Sequence, residues 1–323
     1  MMVGKTPAHT FLVLDPNAAA FASFYRPLDT LGKVINLGAL EDALALLEAV
    51  DSPILLLDTA QLRQLSPSEI SSLVEHRGRF PVGLVTDEKT DDYLIELRRW
   101  GVLQVAVKSE PLIEEEIVHF IQCLLDPASG FGLHGYLYHT MEMYNVSVST
   151  MREKNEAIEN VINHFATSGF EVHELYDVRL ILEEALNNAL FHAFRTPTGE
   201  EKYSVSTLVQ LEAREKVRIE YGNSAQLAGF SVTDNAGSLR VHTILDKLER
   251  QLNREGLFDS SGRGLYLSRM LTTAFIINVE ESKRTQIVAL FDKRRHGDRP
   301  KPFMLNFIGR DSFSEWRLDP DFD

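Results

Sequence analysis

The stretch ILEEALNNALFHAF, residues 181–194, places Glu184, Asn188 and His192 four apart among Leu182, Ala185, Leu186, Ala189 and Leu190. At 3.6 residues per turn this spacing draws a polar stripe beside an apolar one on a single helix. Glu184 can polarise an attacking hydroxyl or water, and the amide oxygen of Asn188, one turn on, suits a hard cation such as Mg²⁺. A solvated helix face would show the same residue types, so the pair needs companions. Two follow downstream, DNAG at 234–237 and SSGRGL at 260–265. Asp234 can accept a hydrogen bond from an adenine amino group. Gly262 and Gly264 let backbone approach phosphates, and a helix beginning near Leu265 would aim its first amides at them. In this order the pieces are the parts of an ATP–Mg²⁺ site. His192 reads as a neutral histidine at the rim of that site or in the core.

A second set of candidates lies near the N-terminus. Four short apolar runs, TFLVLD (10–15), SPILLLD (52–58), FPVGLVTD (80–87) and LQVAVKS (103–109), each end in polar residues, which puts Asp15, Asp58, Thr86 and Lys108 at strand ends. Between them lie amphipathic patterns at 39–50, 66–78 and 90–101, with helix-start signals in Ser66 and Thr90. Strands alternating with helices predict a parallel α/β sheet, whose ligands bind beyond the carboxyl ends of the strands. A helix over 112–126 closes the unit. PASGFGLHGYLY (127–138), with three glycines, a proline and no periodicity, reads as a linker.

The elements around the opening stretch have a different rhythm. A strand near YNVSVST and two long helices come first. Strands follow in YSVSTLVQLEA, KVRIEYGN, LAGFSVTD, FIINVEES and TQIVALFD, an order that predicts an α+β layer. Ile244, Leu245, Leu248 and Leu252, in the amphipathic stretch 240–260, read as packing residues.

With these motifs in place, residues 140–297 resemble the Bergerat-fold (GHKL) ATPases shared by gyrase, histidine kinases and anti-sigma-factor serine kinases, the last most closely. LILEEALNNALFHA is similar to the family's N box, VTDNAG to its G1 box and SGRGL to its G2 box. The resemblance implies Glu184 as general base, Asn188 as the Mg²⁺ ligand and Asp234 as the adenine contact. It further implies Gly237, Gly262 and Gly264 as backbone elements of the nucleotide pocket, Thr285 at the end of the adenine pocket, and 240–260 as a lid. Arg263 is either a phosphate contact or solvated. The chain departs from the family in reading Asp-Asn-Ala-Gly-Ser at 234–238, with other small residues at both usual glycine positions. No histidine phosphoacceptor motif precedes the N box.

Residues 8–126 resemble the receiver domains of response regulators, an α/β fold of the flavodoxin-like kind. The resemblance implies Asp58 as phosphoacceptor, Thr86 as switch hydroxyl, Lys108 as partner of the phosphoryl oxygens, and Asp15 with Asp58 as Mg²⁺ ligands. Pro16 stands where a second acid usually follows Asp15, and no proline follows Lys108. The expected organisation is thus a receiver-like α/β sheet (8–126), a linker (127–139), an α+β Bergerat sandwich (140–297) and an extension (298–323). ATP and Mg²⁺ are the implied cofactors. The implied activity is serine/threonine protein kinase, or else nucleotide-gated sequestration of a partner. The partner class is an anti-sigma antagonist or a sigma-factor-like protein, with a histidine kinase upstream and a homodimer as the default assembly.

Composition limits the alternatives. A formal charge of −14 argues against a phosphate-backbone footprint, and the basic cluster at 292–301 is broken by Asp292 and Asp298. No apolar run is long enough to span a bilayer, and nothing N-terminal resembles a secretory signal. The one cysteine, Cys123, reads as packing. These features lead us to expect a cytoplasmic protein that binds neither nucleic acid nor membrane.

Overall fold

The computed structural model describes residues 9–66, 68–69, 72–73, 79–88, 93, 102–108, 114–204, 210–252, 263–293 and 303–309. They divide into two compact units, the first ending at Asp126 and the second beginning at Pro127.

In the first unit the strands are β1 (His9–Leu14), β2 (Gly32–Asn36), β3 (Pro53–Asp58), β4 (Val82–Thr86) and β5 (Gln104–Val107). They pair in parallel in the order β2-β1-β3-β4-β5, the flavodoxin-like arrangement. Central strands covered on both faces must be apolar throughout, and Ile54 to Leu57 of β3 are all fully buried. The sequence reading missed β2. It lies at the sheet's edge and is half-buried, so GKVIN lacks the continuous apolar run that marks its neighbours. Helices α1 (Leu40–Leu47) and α2 (Glu114–Leu125) pack on this sheet, and Cys123 is buried in the second of them. Ser66 is tied to Glu69 by reciprocal side-chain to backbone bonds, as a helix start requires. Thr90 and most of the 90–101 pattern lie outside the described residues.

The second unit contains β6 (Glu142–Val148), β7 (Val217–Asn223), β8 (Leu227–Asp234), β9 (Ala274–Glu280), β10 (Arg284–Asp292) and β11 (Phe303–Ile308). Their order is β11-β9-β10-β8-β7-β6, antiparallel except for β11, which runs parallel to β9. Helix α3 (Met151–Thr167) starts in a capping box between Thr150 and Glu153, and α4 (Val172–Asn187) packs against it. Helices α5 (Val241–Leu252) and α6 (Arg263–Leu271) follow. Phe165 of α3 meets Phe291 of β10, which in turn meets Phe230 of β8, so one sheet face and the helices share an aromatic core. Ile244, Leu245 and Leu248 of α5 are buried, as expected of packing residues. Of the strand expected in YSVSTLVQLEA, residues 205–209 lie outside the described residues, and the described remainder forms only an isolated bridge between Gln210 and Thr150.

The segment read as a linker is structured within this unit. It forms 3-10 turns at Pro127–Gly130 and Leu133–Gly135, and the extension contributes β11 to the sheet. A ladder of polar side chains on the sheet face away from the aromatic core holds the segment down. Asn306 Nδ2 donates to Asn278 Oδ1 at 2.6 Å, Asn278 Nδ2 to Gln286 Oε1 at 3.0 Å, and Ser231 Oγ to Glu220 Oε2 at 3.1 Å. Gln286 Nε2 joins the two halves through Ser231 Oγ at 3.3 Å. The ladder also takes up strap groups: Asn278 Nδ2 donates to Gly130 O, Gly132 N to Gln286 Oε1 and Leu133 N to Glu220 Oε2. Buried strap backbone must find partners, and strand side chains supply them.

Candidate functional sites

At the carboxyl end of the first unit's sheet, Asp15, Asp58, Thr86 and Lys108 come together as expected, and all four are buried. The Lys108 ammonium bridges the carboxylates, 2.7 Å from Asp58 Oδ2 and 3.1 Å from Asp15 Oδ2. The remaining oxygens are taken too. Asp58 Oδ1 accepts from the Ala60 and Gln61 amides at 2.9 and 3.4 Å, while Asp15 Oδ1 accepts from the Asn17 amide at 2.8 Å. The Tyr25 hydroxyl donates to Asp15 Oδ2 at 2.7 Å, and the Phe21 ring lies 4.6 Å from the lysine nitrogen. Thr86 Oγ1 lies 2.9 Å from Thr59 Oγ1, which is itself 2.6 Å from Glu88 Oε1.

Burial lifts Asp58 above the usual carboxylate range, and the Asp15 charge adds to this, while Lys108 opposes it. Burial pulls the Lys108 ammonium down, but its bonds and charge contacts to Asp58 and Asp15 outweigh this and hold it above its ordinary value. One lysine cannot fully neutralise two carboxylates, so both shifts belong to the same triad. Burial, with Asp15 beside it, keeps the Tyr25 phenol protonated. The carboxylates expected to hold Mg²⁺ are bridged by a side-chain cation. Among the described residues no three acids, histidines or cysteines converge as a metal cluster. Phe21, Tyr25, Thr59 and Glu88 escaped sequence reading because they lie in a turn, in one-turn helices and in a loop, segments too short to leave a periodic pattern.

In the second unit the boxes converge in two pairs. Asp234, the last residue of β8, is the direct cross-strand partner of Thr285 on β10, though 51 positions separate them in the sequence. Asp234 Oδ1 accepts from the Ala236 and Gly237 amides at 2.9 and 3.2 Å, which bends the chain into a turn. Gly237 has φ +59°, and a Cβ there would come within 2.2 Å of the Glu280 carbonyl, so this position requires glycine. Burial pushes the Asp234 carboxyl up to about 6 against the backbone hydrogen bonds and the Thr285 hydroxyl, which favour its charge. The Thr285 hydroxyl, buried beside Asp234 and favouring its charge, forms no other hydrogen bond among the described residues.

The second pair is Glu184 and Gly264. A Cβ on Gly264 would lie 2.2 Å from Glu184 Oε2, so the glycine is what lets α6 start against the N-box carboxylate. Asn188 is exposed and opens a π-helical turn, Asn188–His192, that continues α4. Such turns cluster at functional sites. His192 is exposed, its Nδ1 2.9 Å from Glu201 Oε1, and so lies outside the core. Gly262 and the side chain of Arg263 lie outside the described residues.

These features fit a nucleotide. A buried hydroxyl stands beside a buried carboxylate able to accept from a base, and an exposed amide follows a half-buried carboxylate that touches a glycine-led helix start. Sequence reading did not single out Lys154 or Asn187. Lys154 Nζ donates to Asn187 Oδ1 at 2.6 Å across the α3–α4 contact.

Residues 148–290 match the family described as the histidine kinase-like ATPase domain. No curated protein matches the chain. Among solved structures, a CheY-like protein (tadZ) from Pseudomonas aeruginosa PAO1 is 20% identical over 36% of this chain and 98% of its own, with a TM-score of 0.29. A response regulator receiver protein from Burkholderia phymatum is 17% identical over 36% of this chain and 94% of its own, with a TM-score of 0.29. The Legionella pneumophila response regulator LqsR is 10% identical over 89% of this chain and 87% of its own, with a TM-score of 0.30. Strand order, not these distant likenesses, identifies the first unit's fold. No helix among the described residues is long and apolar enough to cross a membrane. Residues 148–290 form a histidine kinase-like ATPase domain, preceded by a unit with the receiver-like flavodoxin fold.

Proposed function

We propose that the chain is a signalling regulator in which a receiver-type unit governs an ATP-dependent serine/threonine protein kinase of the anti-sigma type. The observation that carries this reading is the contact of the N-box carboxylate Glu184 with Gly264 of the glycine-rich stretch, in the unit where Asp234 faces Thr285. Asp234 and Thr285 would receive adenine, and Asn188 would hold the nucleotide's Mg²⁺. Backbone at Gly237, Gly262 and Gly264, with Arg263, would meet the phosphates. Bound ATP supplies the phosphoryl group. Glu184 takes the proton of the accepting hydroxyl on a partner of the anti-sigma antagonist class. A cytoplasmic homodimer is the assembly that goes with this reading.

Calorimetric titration with ATP and Mg²⁺ tests it. Saturable binding that weakens in Asn188→Ala is the expected outcome, and a folded protein that binds no ATP would overturn the reading. Glu184→Ala should keep the nucleotide and lose phosphoryl transfer to a proven partner by roughly 10²-fold or more.

The sealed triad of the first unit supports docking in place of phosphorylation as its mode of control. Every oxygen of Asp58 and Asp15 already has a donor. Incubation with acetyl phosphate and Mg²⁺ should leave the intact mass unchanged, and a stoichiometric gain of one phosphoryl group, absent from Asp58→Asn, would refute this. Ala236 and Ser238, in place of the usual glycines, favour a second reading. In it the second unit sequesters a partner, such as a sigma-factor-like protein, under nucleotide control. Partner capture that survives Glu184→Ala and still requires nucleotide would select it.

A further inference from the structure

One charged side chain is sealed between α3 and α4. Lys154 is only 7% exposed, although an ammonium is costly to bury and an apolar residue of similar size would pack there more cheaply. Its Nζ donates to Asn187 Oδ1 at 2.6 Å and lies 5.9 Å from the centre of the Phe191 ring. Asn187 is the last residue of α4, and Phe191, fully buried, belongs to the π-turn that follows. The lysine therefore grips the chain on both sides of Asn188. A π-turn is wider than an α-turn and rarely persists beyond a single turn, so its neighbours must hold it. The carboxylates of Glu183 and Glu184 favour the charge that burial disfavours.

We propose that Lys154 is a positioning residue for the metal–nucleotide site. By pinning Asn187 and covering Phe191 it maintains the π-turn that keeps Asn188 exposed, where a nucleotide-bound divalent cation would meet its amide oxygen. This rests on the reading of Asn188 as the metal-binding side chain. Lys154 itself touches neither metal nor nucleotide, so its loss acts on the metal-dependent part of binding alone.

The test titrates the full chain with ATP, once with Mg²⁺ and once with excess EDTA, in wild type, Lys154→Met, Lys154→Arg and Asn188→Ala. Wild type should bind ATP about tenfold or more tighter with Mg²⁺. Lys154→Met should lose most of that advantage while its affinity for metal-free ATP changes by less than about twofold, and Lys154→Arg should restore much of it. An undiminished Mg²⁺ advantage in Lys154→Met would overturn the proposal, as would equal losses with and without metal, which mark a merely structural role. Should the methionine variant not fold, Asn187→Ala removes only the acceptor and is read in the same way. A wild type that binds no ATP, or an Asn188→Ala that keeps the full Mg²⁺ advantage, would instead defeat the underlying site assignment.

Discussion

The two units each gather charged and hydroxyl side chains at strand ends, yet leave them in opposite states. In the first, both oxygens of Asp15 and of Asp58 have donors, and Lys108 lies between them against the Phe21 ring. In the second, the buried Thr285 hydroxyl has only the Asp234 carboxylate beside it among the described residues, Asp234 is pushed up by burial, and Asn188 faces solvent. Polar groups buried without partners cost free energy that a ligand can recover. A constellation that satisfies itself has little left to offer one. The same residue types can thus mark a stabilising cluster or a binding site, and the count of satisfied atoms tells them apart.

The largest test of this contrast is Lys108→Met, which leaves two carboxylates buried without their cation. It should lower the first unit's stability by about 3–5 kcal/mol in urea unfolding, and a loss under about 1 kcal/mol would mean that the triad is not a closed unit.

Next comes the pH dependence of Asp234. Its folded value of about 6 exceeds the ordinary 3.8, so the unfolded chain releases this proton first. The associated stability is present in full below about 3.8, declines as pH rises towards 6 and is gone above it, a change of up to about 3 kcal/mol. Asp234→Asn should therefore be more stable than wild type above pH 6, with the gap closing by pH 4 in thermal or urea unfolding. ATP affinity should move the other way, falling about tenfold per unit as wild type is taken below pH 6, because a protonated carboxyl cannot accept from adenine as the carboxylate does.

Tyr25→Phe removes one donor from Asp15 and should cost about 2 kcal/mol by the same unfolding assay. Smallest is Thr285→Val. Replacing a hydroxyl that makes no well-formed hydrogen bond by a methyl should leave the free protein's stability within about 1 kcal/mol of wild type, whereas calorimetry should show weaker ATP binding. A loss well beyond that would show that Thr285 is firmly bonded to Asp234 in the free protein.

Much of the site was legible in sequence because its residues keep local company. Four-residue spacing on a helix identified Glu184 and Asn188, and apolar runs ending in polar residues identified Asp15, Asp58, Thr86 and Lys108. What stayed hidden depends on neighbours remote in sequence. Lys154 reads as one more charge on an amphipathic helix until Asn187 is placed opposite it. The stretch 127–138 has a linker's composition, and only the ladder from Glu220 to Asn306 shows that strand side chains take up its backbone groups. Edge strands such as β2 escape notice because half-burial erases the apolar run.

By itself the sequence determined the two-part organisation, the parallel sheet with its polar strand ends, and the helix that carries Glu184 and Asn188. Periodicity and local residue chemistry suffice for these. Tertiary structure alone decided that Asp234 meets Thr285, that Glu184 meets Gly264, and that one carboxylate cluster is closed while the other site leaves Asn188 exposed. Whether a polar group is satisfied is a property of its surroundings in space, and no spacing along the chain encodes it.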